Sequence, residues 1–208
     1  MLANPISDIN QTEGVVIRSH PSGESDLVLK ILSPDYGKIS IFAKHARSNS
    51  NKKKIQGNIE ILDKGIFFMK SKTIKKSMSS LHLLESYQSL KTIASFRTNL
   101  LKLSVASVLC EAFDLIIKEE QDSPLDCNQY YEAFCMGLNA MEQAENEGDL
   151  LKICFLTLKG LICIAGFLEI ERAPVPNMKN LRIILDHIEN CAERRLISRG
   201  ELEKMVSR

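Results

Sequence analysis

The chain has 208 residues, 44% of them apolar and 25% charged, with a formal net charge of +1. That composition excludes a disordered or fibrous protein and suffices for one large domain or two small ones with a buried core. The near-neutral total conceals a division: residues 1–80 carry 13 Lys+Arg against 7 Asp+Glu, whereas residues 81–208 carry 14 against 19. A basic module joined to an acidic one points to nucleic acid or another anionic surface, the alternative being a solvated face.

The opening MLANPISDINQT has no basic n-region followed by an apolar run, so no secretion signal is expected. The longest apolar stretch, Leu161–Leu168, is too short to cross a bilayer, and no membrane partner is expected. Six cysteines at 110, 127, 135, 154, 163 and 191 form no CxxC pair, which removes zinc-ribbon and thioredoxin-type chemistry. Their apolar surroundings predict buried thiols in a reducing cytoplasm.

Gly14–Ser19, Asp26–Leu32 and Lys38–Lys44 are β-rich and alternate in polarity. His20-Pro21-Ser22-Gly23 and Ser33-Pro34-Asp35-Tyr36-Gly37 supply the turns between them. Ile59–Met69, with a bulge expected at Gly65, and Ser77–Ser86 complete five strands, which predicts a small barrel. From about Lys91 the apolar period becomes 3.6. Phe96, Leu100, Leu103, Ala106, Cys110, Phe113 and Ile117 mark a long helix, with Leu101, Val105, Val108, Ala112 and Ile116 as a second apolar face. Tyr131, Phe134, Leu138 and Met141 mark a second helix. Asp149 is the expected cap of a third, Leu150–Ala165, closed by Gly166 and central to the bundle. Glu171–Asn180 is a connector, and Leu181–Cys191 a last full helix. The fold class is therefore α+β: a five-stranded barrel over residues 1–80 and a helical domain over 81–208.

Period 2 divides the barrel strands by face. Val15, Ile17, Leu27, Leu29, Ile31, Ile39, Ile41 and Ala43 can fill the interior, which leaves Val16, Arg18, Val28, Lys30, Lys38, Ser40, Phe42 and Lys44 outside. Cations meet phosphates and a ring stacks on any base, so this outer face suits a single strand. The competing reading packs Phe42 under a loop and leaves the lysines solvated. Two lysine-rich loops extend the basic face, one with Lys52, Lys53 and Lys54, the other with Lys70, Lys72, Lys75 and Lys76. In an oligonucleotide-binding barrel the loop between strands four and five borders the binding cleft.

Enzymatic signatures are missing. There is no GxxxxGK[ST] loop, and His20, His45, His82 and His187 are scattered without an HExxH pattern. His20, Ser25 and Asp26 lack a nucleophile elbow and read as turn residues. Paired carboxylates for two-metal chemistry are not evident in the basic module. No cofactor is expected.

The stretch TEGVVIRSHPSGESDLVLKILSPDYGKISIFAKHAR, Thr12 to Arg47, resembles the N-terminal domain of the RecO family of recombination mediators. The resemblance lies in the Gly14-led strand ending in Arg18, then Gly23-Glu24-Ser25-Asp26, Tyr36-Gly37-Lys38 and Ala43-Lys44-x-Ala46-Arg47, which adds Arg47 to the candidate DNA-contacting residues. Leu83-Leu84-Glu85-Ser86 and Glu193-Arg194-Arg195-Leu196-Ile197-Ser198-Arg199 are similar to later family elements. Two departures stand out: Ala165–Asn180 has no cysteine where many relatives hold zinc, so no metal is expected, and His45 replaces a usual Gly. If position 45 is left-handed, His suits it less well than Gly, and the loop could differ there.

The resemblance implies a cytoplasmic, nucleoid-associated bacterial DNA-repair protein rather than an enzyme. It implies binding of single- and double-stranded DNA, annealing of complementary strands, and partnership with RecR and in some cases RecF. It also implies help for RecA in displacing single-strand-binding protein, whose acidic C-terminal tail docks on the helical domain. Arg194, Arg195 and Arg199 are candidates for that tail because it needs cations, or else they cap a helix end. The alternative is a helical protein-interaction adaptor whose barrel is a platform that does not itself bind DNA.

Overall fold

Turn chemistry and alternation place five strands: β1 (Gln11–Ser22), β2 (Asp26–Ser33), β3 (Gly37–Ala43), β4 (Lys64–Lys70) and β5 (His82–Lys91). The computed structural model describes residues 11–47, 59–70, 81–92, 96, 98–119, 123–167 and 176–206. The strands close in the order β1-β2-β3-β5-β4, β4 returning to β1, with β3 and β5 parallel and the other pairs antiparallel. This is the five-stranded oligonucleotide-binding barrel that the sequence suggested.

Local chemistry accounts for the turns. Ser33 Oγ accepts the backbone N–H groups of Asp35 and Tyr36 at 3.2 and 3.3 Å, and Gly37, at φ 65°, takes the left-handed position that releases β3. At Gly65 a Cβ would run into the Tyr87 ring, and the β4–β5 register shifts there, as the bulge expectation required. Inside, Leu29, Ile31, Ile41 and Phe67 are wholly buried, each contributing about 1.5–3 kcal/mol of transfer free energy.

The face assignment of β1 needs correction. Val16, expected outside, lies in the barrel core, paired with Ile31, while Val15 pairs with Leu32. A bulge between Val16 and Arg18 is the cause: one extra residue reverses the alternation, so Arg18 still faces outward with Lys30. The compact unit containing the barrel also extends past the expected boundary at 80. It runs to Thr92 and takes in Glu119–Asn128.

In the other unit, α1 (Leu100–Ile116) is capped by Asn99, whose side chain accepts the Lys102 N–H at 3.0 Å. α2 (Pro124–Gln143) belongs to this unit from Gln129 onward, with Phe113 and Phe134 edge-to-face at 4.9 Å. α3 (Glu147–Ile164) is capped by Asn146 rather than by Asp149, which instead donates its N–H to the Asn146 side chain at 2.9 Å. Gly166, at φ 81°, closes α3 as expected. α4 (Met178–Ala192) ends at a left-handed Glu193, and a short helix not foreseen, α5 (Arg199–Val206), comes after it. α1 packs against α3, α4 and α5, and α3 packs against α1 and α4. Leu100 and Leu103, placed on its apolar face by period, are 65% and 37% exposed. Cys110, Cys127 and Cys154 are buried and Cys163 is exposed. Burial pushes the thiols of Cys110 and Cys154 up, the latter to about 12, so neither is a nucleophile at neutral pH. No helix among the described residues is long and apolar enough to cross a membrane.

Candidate nucleic-acid interface

Cross-strand register converts the outer face of β1–β3 into rows. Arg18 lies opposite Lys30, and Lys30 opposite Ser40. The next row is His20, Val28, Phe42 and Leu83. Directly opposed residues share a face with Cβ atoms about 4.5–5.5 Å apart, so a cationic row runs beside a row holding one ring. Phe42, Val28 and Leu83 are each half-buried and His20 is exposed. The phenyl ring therefore belongs to an apolar strip with one side open.

The structure separates cations that alternation had grouped together. Lys38 is only 5% exposed and has partners within the protein. Its backbone bridges that of Glu119. The Glu119 carboxylate reaches the cationic row as well: Lys30 Nζ lies 3.0 Å and Ser40 Oγ 3.1 Å from the same oxygen, Oε1. Lys38 is thus no surface contact, and Lys30 already holds an anion. Sequence reasoning missed Glu119 because it is 79 residues from Ser40 and no local pattern links them.

Lys44 and Arg47 are exposed, flanking a turn in which Ala46 is buried against the barrel core. His45 is left-handed, at φ 54°, as its replacement of Gly made testable. Its backbone N–H donates to Asp26 Oδ1 at 2.8 Å, Ser25 Oγ donates to the same oxygen at 3.2 Å, and Arg47 N–H donates to Ser25 O at 2.8 Å. The His45 N–H is the main reason the Asp26 carboxyl sits below its usual range. Ser25 and Asp26 thus clasp the turn that displays Lys44 and Arg47. Lys70, at the end of β4, pairs with Glu85 at 2.6 Å, with 68% of its side chain exposed. Lys52, Lys53, Lys54, Lys72, Lys75 and Lys76 lie outside the described residues.

Residues 8–90 match the family described as Recombination protein O N terminal. Two similar curated proteins, from Dehalococcoides mccartyi strains 195 and CBDB1, are each called DNA repair protein RecO. The first is 25% identical over 136 residues, 65% of this chain and 48% of the relative. The second is 26% identical over 145 residues, 69% and 51% respectively. The likeness to the RecO family thus covers the barrel, residues 8–90 of the 208, and extends in these two relatives over about two thirds of the chain. The chain spans about half the length of the curated relatives it matches.

In the helical unit, the three candidate arginines divide. Arg194 and Arg195 are exposed. Arg199 is committed to its own unit, donating to Asp186 at 2.6 Å, Glu189 at 2.9 Å and Glu203 at 3.0 Å. Nearby, Glu111 of α1 accepts Ile197 N–H, Ser198 N–H and Ser198 Oγ–H at 2.8, 2.9 and 2.6 Å. A carboxylate is thus anchored at the N-terminus of α5, where the orphan amides and the helix dipole favour negative charge. Ser198 followed three residues later by Glu201 was the available signal for this missed helix. Among the described residues no three His, Cys, Asp or Glu side chains converge as metal ligands.

Proposed function

We propose that this chain is a non-enzymatic recombination mediator whose barrel binds single- and double-stranded DNA and brings complementary strands together. The observation that carries the reading is the cationic row of Arg18 and Lys30 beside Phe42 on the outer face of a RecO-family barrel, with Lys44 and Arg47 displayed at its end. Cations neutralise phosphate repulsion and a half-open ring stacks on bases without sequence preference. Annealing then needs no nucleotide hydrolysis, because pairing is downhill once the repulsion between strands is screened. Helping RecA onto DNA coated with single-strand-binding protein, alongside RecR and in some settings RecF, is part of the same proposal. Exposed Arg194 and Arg195 are the cations left for an acidic tail.

The test is annealing of two complementary oligonucleotides by the full chain without ATP, with and without single-strand-binding protein and its tail. Acceleration of pairing supports the reading, and its absence together with tight binding of a tail peptide supports the adaptor. The adaptor reading has one observation in its favour: Glu119 already occupies Lys30 and Ser40.

A further inference from the structure

We propose that Lys30 and Ser40 form an anion site that Glu119 fills in cis and that a phosphate of bound DNA takes in its place, so that Glu119 restrains the barrel's own affinity. The proposal rests on the reading of the barrel as a DNA-binding face. Two donors from adjacent strands converge on one carboxylate oxygen, at 3.0 and 3.1 Å, an arrangement that a single phosphate oxygen can reproduce. Arg18, opposite Lys30 across β1–β2, places a second cation beside the same position.

The lysine and glutamate side chains are 24% and 27% exposed, so solvent and solutes reach the pair. An ion pair open to water is held weakly and exchanges readily. Displacement asks only for a turn of the Glu119 side chain, since its backbone remains bridged to Lys38. Exchange of one anion for another at Lys30 releases no counterion, which removes that cation from the salt dependence of binding.

Labelled oligothymidylate is titrated with the full chain by anisotropy across a salt series, comparing wild type, Glu119→Gln and Glu24→Gln. The last removes an equal charge from an exposed barrel position. Glu119→Gln is expected to bind about three- to tenfold tighter at low salt, with a slope of log K on log salt steeper by about 0.7, one phosphate's share on a single strand. Glu24→Gln is expected to match wild type. Equal tightening by both glutamines, or no tightening by Glu119→Gln, overturns the proposal. Absence of binding by all three proteins instead refutes the DNA-binding reading on which it rests. Lys30→Gln supplies a second arm: in the Glu119→Gln background it is expected to abolish the gain, and persistence of the gain again overturns the proposal.

Discussion

Replacing Arg18, Lys44 and Arg47 together with alanine tests the placement of the DNA face by counting phosphates. Among the described candidates, Lys38 is buried, Lys30 is held by Glu119 and Lys70 by Glu85. Lys44 and Arg47 are exposed and Arg18 half-exposed in the row beside Phe42. On single strands each neutralised phosphate contributes about 0.7 to the slope of log K on log salt, so losing three flattens it by about 2. Between roughly 50 and 200 mM salt, a fourfold change, the wild-type advantage over the variant should therefore shrink by about 16-fold. Anisotropy with oligothymidylate measures this directly, with thermal melts confirming that the variant folds. Lys38→Ala is the internal control: it should lower the melting temperature and leave the slope where it was. A triple variant with an unchanged slope, or a Lys38→Ala slope as flat as the triple variant's, would refute the placement.

Asp26→Asn removes the charge that holds the His45 N–H. The folded-state pKa of Asp26 is lowered, so its contribution is present above the unfolded carboxylate value and is lost as pH falls through the folded one. The protection factor of the wild-type His45 amide, its exchange rate relative to an unstructured amide at the same pH, should therefore fall on acidification below the usual carboxylate range, and in Asp26→Asn it should be low throughout. Glu111→Ala deletes an acceptor of three hydrogen bonds at the start of α5 and should destabilise the helical unit by about 2–4 kcal/mol, with Glu111→Gln costing about half, read by denaturant unfolding. Arg194→Ala with Arg195→Ala should weaken binding of an acidic tail peptide without moving the melting temperature, whereas Arg199→Ala should lower the melting temperature because three carboxylates lose their shared cation.

The barrel was legible because its signals are local. Pro and Gly mark the turns, and apolar residues at every second position mark the strands. A bulge defeats that logic: with one extra residue between Val16 and Arg18, strict period 2 puts Val16 on the wrong face and still gives Arg18 correctly. β5 was expected at Ser77–Ser86 and is found at His82–Lys91, since no turn residue marks its end. Lys38 illustrates a deeper limit. Alternation says which face a side chain takes, not whether another part of the chain lies over it, and Glu119 comes from 81 positions downstream. Arg199 was hidden in part for the same reason: Glu203 is its i,i+4 neighbour on α5, but Asp186 and Glu189 stand on α4 and reach its guanidinium only in the packed structure.

The Glu119 site and the Arg18–Lys44–Arg47 face act on the same slope with opposite sign, so combining the variants tests whether they are one surface or two. Arg18 lies directly across from Lys30, at a Cβ separation of about 4.5–5.5 Å. Lys44 is four residues beyond Ser40, about 13 Å of extended chain. Contacts this close couple, and sites separated by more than about 7–10 Å add. In an Arg18→Ala background the gain from Glu119→Gln should fall by at least half, because Lys30 alone holds a phosphate less firmly than two adjacent cations. In a Lys44→Ala, Arg47→Ala background the gain should persist in full. Equal loss in both backgrounds would mean that Glu119 sets the charge of the whole barrel rather than competing at one position.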